Sequence, residues 1–117
     1  MRIRLVEDTP EIAVWLKQAL EMHDVDFQIV TTTREFERLL SPAPWEDIDV
    51  AVVDVMLPGV SGLDIARYLG EVHPGIRVVI MTASLPSADE ATGVAHAVIV
   101  KPFSSQDMVA AIQGGRP

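Results

Sequence analysis

The chain has 117 residues, enough for one domain with a real hydrophobic core and too few for two, so residues 1–117 are expected to form a single domain. Apolar residues make up 49% and charged residues 22%, the balance of a globular chain; with no cysteine, a disulfide framework, a thiol nucleophile and a thiolate metal site are all excluded. A formal charge of −8 argues against direct binding to nucleic acid, which needs a basic face, and suits the holding of a hard cation.

Met1–Val6 is too short for a signal-peptide core, and no apolar run approaches membrane-spanning length, so a cytoplasmic protein with no membrane partner is expected. Arg2–Val6 reads as a short strand ending in Glu7-Asp8. Thr9-Pro10 then opens a helix whose core-facing stripe is Ile12, Leu16, Ala19 and Leu20, closed by His23-Asp24. Phe27–Val30 is a second strand. Thr32-Thr33-Arg34-Glu35 has capping-box form and predicts a second helix with Phe36, Leu39 and Leu40 on its apolar face. Ser41–Trp45, with two prolines, cannot continue a helix and makes a loop.

Val50–Asp54 is an unbroken run of β-branched and small apolar residues ending in an acid, the pattern of a strand buried on both faces. After Pro58-Gly59, Ser61–Asp64 caps a helix with the stripe Leu63, Ala66 or Ile65, Leu69 and Val72, ended by His73-Pro74-Gly75. Arg77–Thr82 is a fourth strand and Ala97–Lys101 a fifth. Ser104–Asp107 caps a last helix running to about Ile112, and Gly114–Pro117 reads as a frayed end or a linker. Strands alternating with helices imply right-handed crossovers and a doubly wound, flavodoxin-like α/β fold with a mostly parallel sheet.

Four of the five strands end in polar residues at one edge of that sheet: Glu7-Asp8, Asp54, Thr82 and Lys101. Lysine occurs only at Lys17 and Lys101, so its placement there is informative. Three carboxylates in one crevice repel one another and need a counter-charge, which a hard ion such as Mg²⁺ supplies through oxygen ligands. A carboxylate beside a divalent cation and an ammonium can act as a nucleophile toward phosphorus, and a strand-end threonine can hold a phosphoryl oxygen.

With these residues together, the chain resembles the receiver domain of two-component response regulators over nearly its whole length. The matching motifs are Val6-Glu7-Asp8, Asp54–Gly59 followed by Ser61-Gly62-Leu63, Ile80-Met81-Thr82-Ala83, and Val100-Lys101-Pro102-Phe103. The resemblance implies a five-stranded sheet in the order 2-1-3-4-5. It implies that Asp54 accepts a phosphoryl group from the phosphohistidine of a sensor histidine kinase or a histidine phosphotransfer protein and then switches a downstream protein or output domain. It also implies that Asp8, Asp54 and the backbone carbonyl of Met56 ligate Mg²⁺, with Glu7 acting through a water on the metal. Thr82 and Lys101 would contact the phosphoryl group, Lys101-Pro102 would be a cis peptide, and Met56 and Ser84 would flank the site.

The chain departs from that family in two places. Val98 stands where an aromatic residue often swings inward with the threonine, so only the Thr82 half of such a movement is available. Only 18 residues separate Thr82 from Lys101, and the segment holds Pro86 and Gly93, which predicts a fourth helix that is short, irregular or absent. Trp15 is either a docking residue or a partly buried packing residue, and Trp45 a local lid over the core. His23, His73 and His96 are expected at the surface without a metal role. Two other functions compete: a receiver-like interaction domain that does not cycle phosphate, and a phosphohydrolase of the haloacid-dehalogenase type. The latter needs a second Asp two residues beyond the nucleophile, where this chain has Met56.

Overall fold

In the computed structural model, which describes residues 1–114, the strand Val50–Asp54 is buried at every position and hydrogen-bonded on both sides. Around it the elements run β1 (Arg2–Val6), α1 (Pro10–His23), β2 (Gln28–Thr32), 3-10 turns at Phe36–Leu40 and Ala43–Trp45, β3 (Val50–Asp54), α2 (Gly62–Val72), β4 (Arg77–Thr82), α3 (Leu85–Ala91), β5 (Ala97–Val100) and α4 (Ser105–Ile112). All neighbouring strands are parallel, in the order β2-β1-β3-β4-β5. The expected fold and strand order are therefore present; of the frayed end or linker expected at Gly114–Pro117, residues 115–117 lie outside the described residues.

One face of the sheet packs against α1 and α4 through Leu5, Leu16, Leu20, Val52, Met81 and Met108. The other packs Val53 and Ile80 against α2 and against Phe36, Leu39 and Trp45. Alternate residues of β3 thus feed two separate cores, which is why its sequence is apolar throughout. Helix α2 starts where Ser61 accepts the Leu63 N–H at 3.1 Å, and α4 carries a full capping box between Ser104 and Asp107.

Several local expectations are corrected. The second helix is only a 3-10 turn. Thr32 is not its cap: it sits in β2 opposite Val6, and its hydroxyl accepts from Arg4 Nη1 at 2.8 Å. The chain then passes through the left-handed region at Glu35 (φ 54°), and Pro42 limits the turn to Phe36–Leu40, with Leu40 exposed. In α1 the buried face is Ala13, Leu16 and Leu20, while Ile12 points to solvent; in α2, Val72 is likewise exposed. The second strand begins one residue later than expected and extends to Thr32.

The helix between Thr82 and Lys101 is short, as anticipated: seven residues, capped by Ser84, which accepts the Ser87 N–H. Trp45 does close the core, and its indole N–H donates to the Leu39 carbonyl at 2.8 Å, satisfying an acceptor the 3-10 turn leaves free. No helix of the described residues is long and apolar enough to cross a membrane.

The α1 register has a measurable consequence. Leu20→Ala should lower the free energy of unfolding in urea by about 2–5 kcal/mol, as for other fully buried leucines, whereas Ile12→Ala should cost less than about 1 kcal/mol. Equal losses would mean that the helix packs in the other register.

Candidate functional site

Among the described residues the buried polar or charged side chains are Glu7, Asp54 and Thr82, exposed by 2%, 4% and 0%. A protein interior tolerates such groups only where they are paired, so their placement on the same sheet edge marks the site. Pairing of Val6 with Val53 sets Glu7 and Asp54 level on adjacent strands, at the point where the strand order reverses and open α/β sheets form their crevice.

Both carboxylate oxygens of Asp54 are engaged. The Met56 N–H donates to Oδ1 at 3.0 Å, and Lys101 Nζ donates to Oδ2 at 2.7 Å. Lys101 Nζ also lies 3.6 Å from Glu7 Oε2, so one ammonium faces two buried carboxyl groups. Glu7 Oε1 accepts the Thr9 N–H at 3.2 Å, but its buried Oε2 has no hydrogen bond among the described residues. Burial above all, and then the neighbouring Asp54 carboxylate, push the Glu7 carboxyl up to about 7; Lys101 and the Thr9 N–H oppose this without cancelling it. Burial alone would lower the Lys101 pKa, but the hydrogen bond and charge of Asp54, with the charge of Glu7, outweigh it and raise the value.

Glu7, Asp8 and Asp54 each offer an oxygen within 4.8 Å of the others, and Asp8 is exposed at the rim. An all-oxygen donor set, with one orphaned buried acceptor and too little positive charge, fits a hard divalent cation such as Mg²⁺. The crevice continues into a cleft of about 660 Å³ lined by Asp8 and the Val55–Ser61 loop, with Met56 exposed beside it.

Thr82 closes β4, next to β5, and its carbonyl accepts the Lys101 N–H at 2.8 Å. Its hydroxyl is turned to its own loop, accepting the Ser84 N–H at 3.1 Å. The Lys101–Pro102 peptide is cis. The histidines stand apart from the acids. His23 hydrogen-bonds Ser105, and His96 Nδ1 accepts the Val78 N–H. His73 packs edge-on against Tyr68. Trp15 is exposed on α1.

One residue that positions the site escapes a reading of motifs for chemistry. A Cβ on Gly62 would lie 2.1 Å from the Asp54 carbonyl oxygen and 2.8 Å from the Val55 Cα, and the Gly62 N–H donates to the Val55 carbonyl at 2.9 Å. The absence of a side chain lets the first turn of α2 press directly on the strand end that carries Asp54. In the sequence Gly62 shows only as part of the Ser61-Gly62-Leu63 match and of a helix cap, neither of which marks its close approach to the Asp54 backbone.

Fold and crevice together define a class: doubly wound domains with an acidic pocket at the strand switch and a lysine on one carboxylate. Residues 3–113 match the family of response regulator receiver domains, and the chain belongs to that family. It is 31% identical over 110 residues to the probable transcriptional regulatory protein TcrX of Mycobacterium tuberculosis, covering 92% of this chain and 46% of that protein. The chain spans about half the length of the curated relatives it matches. Among solved structures, a response regulator receiver domain protein from Clostridium thermocellum superposes with a TM-score of 0.83 at 28% identity, covering 96% of this chain and 90% of that one. The BeF3-activated receiver domain of DrrB, from Thermotoga maritima, gives 0.80 at 25% identity, covering 96% and 93%.

Two outcomes are expected from this geometry. Gly62→Ala should destabilise the domain by more than about 2 kcal/mol, because backbone rather than a flexible side chain must move; a loss near that of an ordinary helix substitution would show the contact to be slack. The second concerns pH. With its carboxyl at about 7 in the fold against an ordinary 4.5, folded Glu7 keeps a proton that the unfolded chain has released between those values. Without metal, its contribution to stability therefore falls as pH rises from about 4.5 to about 7. In EDTA, Glu7→Gln should be more stable than the parent at pH 7.5, with the gap closing at pH 4.5. A pH-independent gap would count against the raised value.

Proposed function

We propose that Asp54 accepts a phosphoryl group from the phosphohistidine of a histidine kinase or histidine phosphotransfer protein, and that the added charge switches binding of a downstream protein or output domain. The observation that carries this is the buried Asp54 carboxylate, held by the Met56 N–H and Lys101 Nζ at the mouth of an acidic cleft. Holding both oxygens orients the nucleophile before the donor arrives. An Asp54 oxygen attacks phosphorus, the P–N bond to the donor imidazole breaks, and an acyl phosphate forms; the imidazole leaves with a proton. Water attacking the same phosphorus later releases inorganic phosphate and restores the carboxylate.

Glu7, Asp8 and Asp54, with the Met56 carbonyl, would hold Mg²⁺, which when bound supplies positive charge to the phosphoryl oxygens. Lys101 follows the negative charge as it moves from the carboxylate to the phosphoryl group. The domain thus acts on itself and turns over no small substrate. A phosphohistidine donor supports a cytoplasmic location, and the net charge of −8 supports output through a protein or output domain rather than direct contact of this domain with DNA.

Thr82 provides the link to output. Its hydroxyl holds the N–H of Ser84, the cap of the short helix α3. A turn of that hydroxyl toward a phosphoryl oxygen releases Ser84 and so loosens the start of α3. The half-buried Val98 leaves no aromatic ring to follow the movement.

Incubation with Mg²⁺ and acetyl phosphate should add the mass of one phosphoryl group to the parent chain. None should be added to Asp54→Asn or in EDTA. An adduct that persists in Asp54→Asn would place the acceptor elsewhere; no adduct and no Mg²⁺ binding would leave a receiver-like interaction domain that does not cycle phosphate.

A further inference from the structure

With only 3-10 turns beside β2, a cleft of about 390 Å³ remains between them and strands β1 and β2. Three of the chain's nine lysines and arginines line it: Arg4 from β1, and Arg34 and Arg38 from the segment after β2. In a chain of net charge −8 this is a local reversal of sign. Thr32 lies in the lining, and Leu39 and Pro44 give an apolar wall. One carboxylate, Glu35, also borders the cleft and is paired with Arg38 at 3.5 Å.

Arg4 is the unusual member. Its Nε donates to the Pro44 carbonyl and its Nη1 to Thr32 Oγ1, both at 2.8 Å, and its guanidinium lies 6.0 Å from the Trp45 ring centroid. Among the described residues no carboxylate forms an ion pair with it. It is half-buried, and burial followed by the charge of Arg2 holds its pKa below the ordinary arginine value. Among the described residues only two of the five guanidinium N–H donors have a partner, so donors remain for an anion. Partial desolvation strengthens whatever anion reaches them.

We infer that this cleft binds a small organic phosphate monoester, a site separate from the acidic crevice at Asp54. A phosphate monoester carries a charge of about −1.5 to −2 and three acceptor oxygens, enough to engage all three arginines, whose forked donors match phosphate geometry. The apolar wall takes the organic group. The cleft volume suits a small ligand, not an extended chain.

The test is an NMR titration of the ¹⁵N-labelled chain with phenyl phosphate in EDTA, read at the Arg4, Thr32 and Arg38 amides and at the Trp45 indole N–H. Saturable shifts at these positions are expected, with benzoate at least about five-fold weaker and benzyl alcohol silent. Arg34 and Arg38 are exposed, so the double variant Arg34→Gln/Arg38→Gln should fold normally and bind at least about ten-fold more weakly. A spectrum otherwise unchanged would show that the fold is intact. Shifts confined to Asp8 and Met56, non-saturating shifts, unchanged affinity in the double variant, or benzoate binding as tightly as phenyl phosphate would each overturn the assignment.

Discussion

The ion pair between Lys101 and Asp54 joins the end of the edge strand β5 to the end of the central strand β3, across 47 residues of sequence. It is also an incomplete neutralisation. One ammonium faces two buried carboxyl groups, and the geometry decides which is served: Asp54 receives a direct hydrogen bond and Glu7 only proximity. The uncompensated partner carries the consequence as a raised affinity for protons. A divalent cation and a proton are therefore alternative remedies for the same excess of negative charge.

Holding such a cluster out of water requires a rigid surround, and the two apolar cores provide it. β3 is packed from both faces and hydrogen-bonded on both edges, so the strand end carrying Asp54 has little freedom. The first turn of α2 presses on that end through the bare backbone of Gly62. Where the sheet lacks a full helix beside β2, bulk replaces length. Phe36, Leu39 and Trp45 fill the space, and the Trp45 indole N–H ties one 3-10 turn to the other.

Much of this was legible in the residues. The apolar runs of β3 and β4 could only be buried strands, and the polar residues at their ends specified the site because hydrophobic patterning makes any buried acid conspicuous. What escaped was settled by contacts distant in sequence. Thr32-Thr33-Arg34-Glu35 has the local form of a helix start, but Arg4 takes the Thr32 hydroxyl and strand pairing takes its backbone. Ile12 fits a helical stripe as well as Ala13 does; only packing against the sheet selects the register. Gly62 looks like any glycine beside a cap until the backbone it touches is known, and the turn of the Thr82 hydroxyl toward Ser84 depends on a loop conformation that no periodicity encodes.

The sheet distributes its strength unevenly between Asp54 and Lys101. β3 is the strand with most to lose on exposure, while β5 has four residues, none fully buried, and a single neighbour. Partial openings of a protein begin at such margins, at a fraction of the cost of global unfolding. Asp54, the proposed acceptor, is thus fixed to the strand packed on both faces, and its counter-charge to one margin of the sheet. Added negative charge on Asp54 would grip Lys101 more tightly and draw the margin shut; its loss would let the margin breathe. Under the proposed phosphorylation, a signal would leave the site as a change in how often one edge of the sheet comes undone, while β3 stays where it was.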